Sequence, residues 1–310
     1  MHLKNSKTIV IKIGSSLIIN DRKIVRKKWL SEFARDIKEL LNQKKNIIIV
    51  SSGAIALGCK KLELNKKNLK LDKSQAVASI GQIELMNLFK KTFNLRKINL
   101  SQILLTLEDT EQRRRAINAK RTFENLFKLE FVPVVNENDS IATSEIKYGD
   151  NDRLASRVAQ ISGADCLILL SDVDGLYTKN PKIYKDAKII KEINNIDLEI
   201  EKVATKSVGE HGTGGMKTKI DAAKICQLSG CTMAIANGLT LNPIICSEIP
   251  NASANPNSNE PHIVPSNVQP PNRTAAIATT PFPADMFCEN APVTARERYA
   301  PDKPAHIPAI

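Results

Sequence analysis

The sequence predicts an α/β fold: an α-β-α sandwich with a mainly parallel central sheet. Three observations predict it. Short β-branched runs alternate along the chain with longer amphipathic segments. The runs are apolar at consecutive rather than alternate positions, as in strands buried on both faces. Glycine, serine and acidic residues gather just after the runs, where such sheets bind their ligands.

The first run, Ile9-Val10-Ile11-Lys12-Ile13, reads as a strand and ends in Gly14-Ser15-Ser16. Residues 25–43 have the 3.6-residue apolar spacing of a helix with a polar outer face. Ile47-Ile48-Ile49-Val50 is the next strand, followed by Ser51-Ser52-Gly53-Ala54. A helix is expected over 74–93, a strand at Ile103-Leu104-Leu105 and a helix over 110–127. The strand Phe131-Val132-Pro133-Val134-Val135 runs into Asn136-Glu137-Asn138-Asp139, and a helix over 153–162 is preceded by the polar segment Glu145 to Asp152. Leu167-Ile168-Leu169-Leu170 ends in Ser171-Asp172-Val173-Asp174-Gly175. A helix over 216–229 and the strand Met233-Ala234-Ile235 close the pattern. Strands alternating with helices in this way form right-handed βαβ units.

The chain has 310 residues and a net charge of +12. All of that excess lies in residues 1–246, because Ser247 to Ile310 holds four basic and six acidic residues, with twelve of the 15 prolines. Residues 1–246 are therefore expected to form the globular domain. Residues 247–310 are expected to be a disordered Pro/Ala-rich tail. The lysines are scattered and aromatic residues make up only 4% of the chain, so a base-stacking nucleic-acid surface is not expected. The cysteines (Cys59, Cys166, Cys226, Cys231, Cys246 and Cys288) show no zinc spacing and read as reduced, buried residues. No apolar run approaches the ~20 residues of a membrane span. A soluble cytoplasmic protein is the expectation.

Four features suggest chemistry. Lys12 sits inside an apolar strand, where an ammonium costs several kcal/mol unless it meets a partner or an anionic ligand. The turns at Gly14-Ser15-Ser16 and Ser52-Gly53 can offer backbone N–H groups to an anion. Gly212-Thr213-Gly214-Gly215-Met216-Lys217-Thr218-Lys219 opens a helix with three glycines, a hydroxyl and lysines, which suits nucleotide phosphates. Asn136 to Asp139 and Glu145 to Asp152 concentrate carboxylates and amides that lysines, a metal or a cationic substrate group must neutralise.

These segments, in order, together with Gln75-Ala76-Val77-Ala78-Ser79-Ile80-Gly81-Gln82 and Ser171 to Thr178, resemble the motifs of the γ-glutamyl kinase branch of the amino-acid kinase family. The resemblance covers residues 7–245. It implies the amino-acid kinase fold and ATP-dependent phosphorylation of the γ-carboxylate of L-glutamate, the first step of proline biosynthesis. It also implies a homo-oligomer using ATP and Mg²⁺. By the same resemblance Lys12 and Lys219 stabilise the phosphoryl group and Asp150 orients them. Ser52, Asp139 and Asn151 bind glutamate. ATP is met by Lys12, Ser171, Asp172 and the loop Thr213, Gly214, Gly215, Met216, Lys217, Thr218 and Lys219. No metal ligands are assigned, since phosphates and water often supply most of the Mg²⁺ shell. Family-like sequence fades at Asn242-Pro243, and the small β-rich PUA domain that follows the kinase domain in many members has no recognisable counterpart. That departure motivates an alternative, a catalytically weak glutamate- or proline-binding regulator. An RNA-binding reading rests on charge alone.

Overall fold

The computed structural model describes residues 3–142, 151–179, 183–206 and 216–239. In chain order the elements are β1 (Thr8–Ile13), α1 (Ser15–Ile18), α2 (Lys27–Asn42), β2 (Asn46–Ser51), α3 (Ala54–Lys61) and α4 (Leu71–Asn94). They continue with β3 (Asn99–Leu105), α5 (Leu107–Glu111), α6 (Arg113–Lys128), β4 (Phe131–Glu137), α7 (Asn151–Ser162) and β5 (Cys166–Ser171). The last are β6 (Leu176–Tyr177), β7 (Ile189–Ile190), α8 (Leu198–Lys206), α9 (Met216–Leu228) and β8 (Thr232–Asn237).

A six-stranded sheet has the order β3-β4-β2-β1-β5-β8, with every pairing parallel. β1 lies inside it, with Lys12 level with Val50 of β2 and Leu169 of β5. The two-residue period of β1 sends Ile9, Ile11 and Ile13 to one face and Val10 and Lys12 to the other. On the first face, Trp29, Leu30, Phe33 and Ile37 of α2 and Leu85, Phe89 and Phe93 of α4 close the core. Their i, i+4 spacing places them on one stripe of each helix. Each fully buried side chain of this size contributes roughly 1.5–3 kcal/mol. On the second face, Val10, Ile48, Val50, Val135, Leu167 and Leu169 pack under Phe123 of α6 and Leu154, Ala155, Val158 and Ala159 of α7. Lys12 shares that second face, and its charge meets the first turn of α7.

Several elements differ from the sequence expectation. The strands expected to be buried on both faces at 103–105 and 233–235 are the two edge strands, β3 and β8, and of these only Leu105 and Ala236 are buried. The single helix expected over 110–127 is two. Thr106 and Asp109 form a capping box that starts α5 early, and extended backbone at Gln112 (ψ 115°) separates it from α6. The helix expected from residue 25 begins at Lys27, because Val25 forms a bridge with Ile19. α3, α8 and the β6–β7 hairpin carry too few residues to show a period in the sequence. Cys59, Cys166, Cys226 and Cys231 are buried and free, as expected. Among the described residues no helix is long and apolar enough to cross a membrane. The tail expected at 247–310 lies outside the described residues.

Candidate active site

The carboxyl ends of β1, β2, β4 and β5 carry the polar residues. β1 ends at Gly14, the N-cap of α1, and β2 leads to Gly53, the N-cap of α3; neither helix start has a side-chain cap. Gly53 has φ 108°, a left-handed conformation that favours glycine. Uncapped N–H groups at a helix start are donors awaiting an acceptor.

Lys12 reaches from β1 to α7, where its Nζ pairs with Asp152 Oδ1 at 2.6 Å. Lys219, in the first turns of α9, pairs with Asp152 Oδ2 at 2.8 Å. The Asp152 side chain is 2% exposed, that of Lys12 12% and that of Lys219 8%, so two cations converge on one buried carboxylate. Burial alone would raise the Asp152 pKa. The two ammonium groups and their hydrogen bonds outweigh it and hold the carboxyl below its ordinary value. Thr218 Oγ1 donates to the same Oδ2 at 3.5 Å. Lys217 faces solvent, because two helical residues turn 200° and only one of Lys217 and Lys219 can face α7.

Among the described residues Asp152 is thus the carboxylate that meets both lysines; Asp150, to which the resemblance gave that role, lies outside the described residues. Asp152 stands in the first turn of α7, and α7 packs over β1 on the face from which Lys12 projects. Sequence spacing offered three polar neighbours, Asp150, Asn151 and Asp152, and no direction for any of them.

Ser52 and Asn151 are brought together. Asn151 Nδ2 donates to Ser52 Oγ and to the Ser51 carbonyl, each at 2.7 Å, and to Asn136 Oδ1 at 3.2 Å. Asn136 Nδ2 in turn donates to Gln82 Oε1 at 2.8 Å. Asp139 follows β4 and lines a cavity of about 240 Å³ with Gln82, Glu137, Asn138 and Ser140. No hydrogen bond among the described residues joins it to Ser52 or Asn151. Burial pushes its carboxyl up to about 6, against a smaller lowering by Lys66. Gln82 and Asn136 were not singled out as site residues by sequence. The one signal was their place in the quoted motifs.

On the other side of β1, Ser171 Oγ donates to Asp172 Oδ1 at 3.1 Å at the end of β5. Asp174 accepts from Asn237 at the end of β8 (2.7 Å) and from the Tyr177 hydroxyl (3.1 Å). Met216 packs beside Leu176, Ile190 and Ile220, which joins the start of α9 to the β6–β7 hairpin. Thr213, Gly214 and Gly215 lie outside the described residues.

Two lysines on one carboxylate, beside glycine turns at the ends of parallel strands, are groups that can neutralise an anion. The chain belongs to the amino acid kinase family, whose model matches residues 7–237. It is 81% identical over 244 residues to a protein of Pelagibacter ubique (strain HTCC1062) named Glutamate 5-kinase, covering 79% of this chain and 66% of that one. A protein of the same name from Agrobacterium fabrum (strain C58 / ATCC 33970) is 49% identical over 242 residues, covering 78% and 62%. The alignments thus span just under two thirds of the length of these relatives. Among solved structures, an isopentenyl phosphate kinase superposes with TM-score 0.52 at 16% identity, covering 76% of this chain and 92% of that one. The UMP kinase of Ureaplasma parvum gives TM-score 0.52 at 18% identity, covering 78% and 94%. At these identities the likeness concerns the fold.

Proposed function

We propose that the chain transfers the γ-phosphoryl group of ATP to the γ-carboxylate of L-glutamate, giving ADP and L-glutamyl 5-phosphate, the entry step of proline biosynthesis. The observation that carries this reading is the pair of buried ammonium groups on Asp152, next to the Ser52–Asn151 contact. Two cations against one anion leave a positive charge for a phosphate. The relatives named Glutamate 5-kinase support glutamate as acceptor.

The chemistry fits these groups. A glutamate carboxylate oxygen attacks the γ-phosphorus, and the bond to the β–γ bridging oxygen breaks with its electron pair leaving on ADP. The acceptor is already ionised at neutral pH, so no base has to take a proton. The task of the protein is positioning and charge neutralisation. Lys12 and Lys219 neutralise charge on the transferring group, and Asp152 holds both ammonium groups in place. Ser52 and Asn151 orient the amino acid, and Asp139 receives its α-ammonium. Ser171, Asp172 and the segment from Thr213 to Lys219 hold the nucleotide, whose phosphates suit the lysines and uncapped helix starts. Mg²⁺ bound with the nucleotide would supply further charge neutralisation. The reading includes a cytoplasmic homo-oligomer; exposed Ile83 and Leu104, which both line the Asp139 cavity, support a contact between copies.

The test is a coupled ADP-release assay with Mg-ATP, comparing L-glutamate, N-acetylglutamate, aspartate and no acceptor, with hydroxylamine to trap the acyl phosphate. Glutamate-dependent ADP together with the γ-hydroxamate is expected. A folded protein that glutamate stabilises against heat without ADP release overturns the kinase reading in favour of a binding protein.

A further inference from the structure

We propose that Gln82 is a positioning residue for the amino-acid substrate, acting through Asn136 on Asn151; the inference rests on the glutamate site proposed above. The direction of every amide in this relay follows from one backbone group. The Ser51 carbonyl can only accept, so Asn151 must turn Nδ2 toward it. The same Nδ2 meets Asn136, which must therefore present Oδ1. Asn136 is left with Nδ2 for Gln82, and position 82 must supply an acceptor, Oε1. Asn136 is 1% exposed and Gln82 9%, so solvent does not replace a missing partner. Asn151 Oδ1 is then the amide atom turned away from Ser51 and Asn136, an acceptor suited to a substrate ammonium.

Gln82 is itself held rigidly. Its neighbour Gly81 lies so close to α3 that a Cβ there would stand 1.8 Å from the Ala54 carbonyl oxygen. Gly58 of α3 approaches Val77 of α4 in the same manner, with an added Cβ 2.2 Å from the Val77 carbonyl oxygen. α4 is thereby locked to the helix that begins at the Ser52-Gly53 turn. The relay thus connects the substrate loop, β4 and α7 through one side chain of α4. Gln82 Nε2 has no hydrogen-bond partner among the described residues, which singles out the acceptor half of the amide as the half that is used.

The experiment compares Gln82→Met, Gln82→Asn and Gln82→Glu with the unaltered chain, measuring the KM for glutamate, kcat and the thermal midpoint. Methionine keeps the bulk and loses the acceptor. Asparagine keeps the amide and withdraws it by one methylene. Glutamate keeps an acceptor oxygen whether ionised or protonated. The expected result is a KM raised about tenfold in the methionine and asparagine variants, with kcat changed less than threefold. The glutamate variant is expected to recover most of the affinity. A purely structural role gives the opposite order, because a carboxyl group buried beside Glu137 and Asp139 destabilises more than a thioether. Substrate affinity and thermal midpoint must therefore rank the methionine and glutamate variants in opposite orders. Equal KM values in the unaltered and methionine chains, or affinities that follow the midpoints, overturn the inference while leaving the kinase reading standing. An unaltered chain inert to glutamate overturns both. If the methionine variant fails to fold, the asparagine variant decides alone.

Discussion

Asp152→Asn removes the charge from the centre of the site and leaves its shape. Lys12 and Lys219 would then face one another over a neutral amide, with side chains that are 12% and 8% exposed. Breaking a buried ion pair by removing one partner costs about 3–5 kcal/mol, because the other partner is left buried and uncompensated. In a domain of this size each kcal/mol lowers the melting temperature by about 2–4 °C, so a fall of about 10 °C is expected at pH 7. The pH dependence follows from the depressed Asp152 pKa. A carboxyl with a folded-state pKa below its unfolded value stabilises above that unfolded value, about 4, and loses the contribution as pH falls through the folded one. Calorimetry should therefore show the full gap between the two proteins at pH 7 and a narrowing gap as pH drops below 4, where protonated Asp152 resembles asparagine. Adding Lys12→Met to Asp152→Asn should recover part of the loss by removing one of the two repelling cations. A midpoint within 2 °C of the unaltered chain at pH 7, or a double variant less stable than Asp152→Asn, would refute the reasoning.

Lys219→Ala should lower kcat by about 10²-fold or more with a much smaller effect on the KM for glutamate, since its charge is most needed as the phosphoryl group transfers; steady-state kinetics showing unchanged turnover would count against that assignment. Asp139, with its carboxyl pushed up to about 6, must ionise to receive the substrate ammonium, so the KM for glutamate should fall as pH rises from 5 to 7 and then level off. Asp139→Asn should flatten that profile, and a flat profile in the unaltered chain would refute the role. Gly81→Ala forces a methyl against the Ala54 carbonyl and should destabilise by about 3 kcal/mol, lowering the urea midpoint while raising the glutamate KM through the Ser52-Gly53 turn; an unchanged midpoint would sink it.

The sheet was readable because burial on both faces leaves a sequence pattern that does not depend on distant partners. Ile9 to Ile13 and Leu167 to Leu170 have nowhere to be except an interior strand. The run at Ile103 misled, because an edge strand can carry the same apolar residues while its second side lies open. Short elements such as α3 and α5 stayed hidden for want of turns over which a period could repeat. Lys12 was readable for the opposite reason, as a charge in a place that tolerates none without a partner.

The partner itself was not readable. Which side chain of the first turn of α7 meets Lys12 depends on how that helix crosses β1, and its crossing is set by packing against Val10, Ile48 and Leu167 rather than by any local residue. The Gln82-Asn136-Asn151 relay joins positions 54 and 15 residues apart, so no window of sequence contains it. These two cases share a cause. A strand end announces its chemistry because β geometry fixes which residues emerge there, whereas a helix laid across the sheet contributes whichever side chains its crossing angle selects. Lys12 is set by its strand and Asp152 by the crossing of its helix. The site becomes specific where the two meet, and it is there that the proposed phosphate would find the charge of two lysines gathered on one carboxylate.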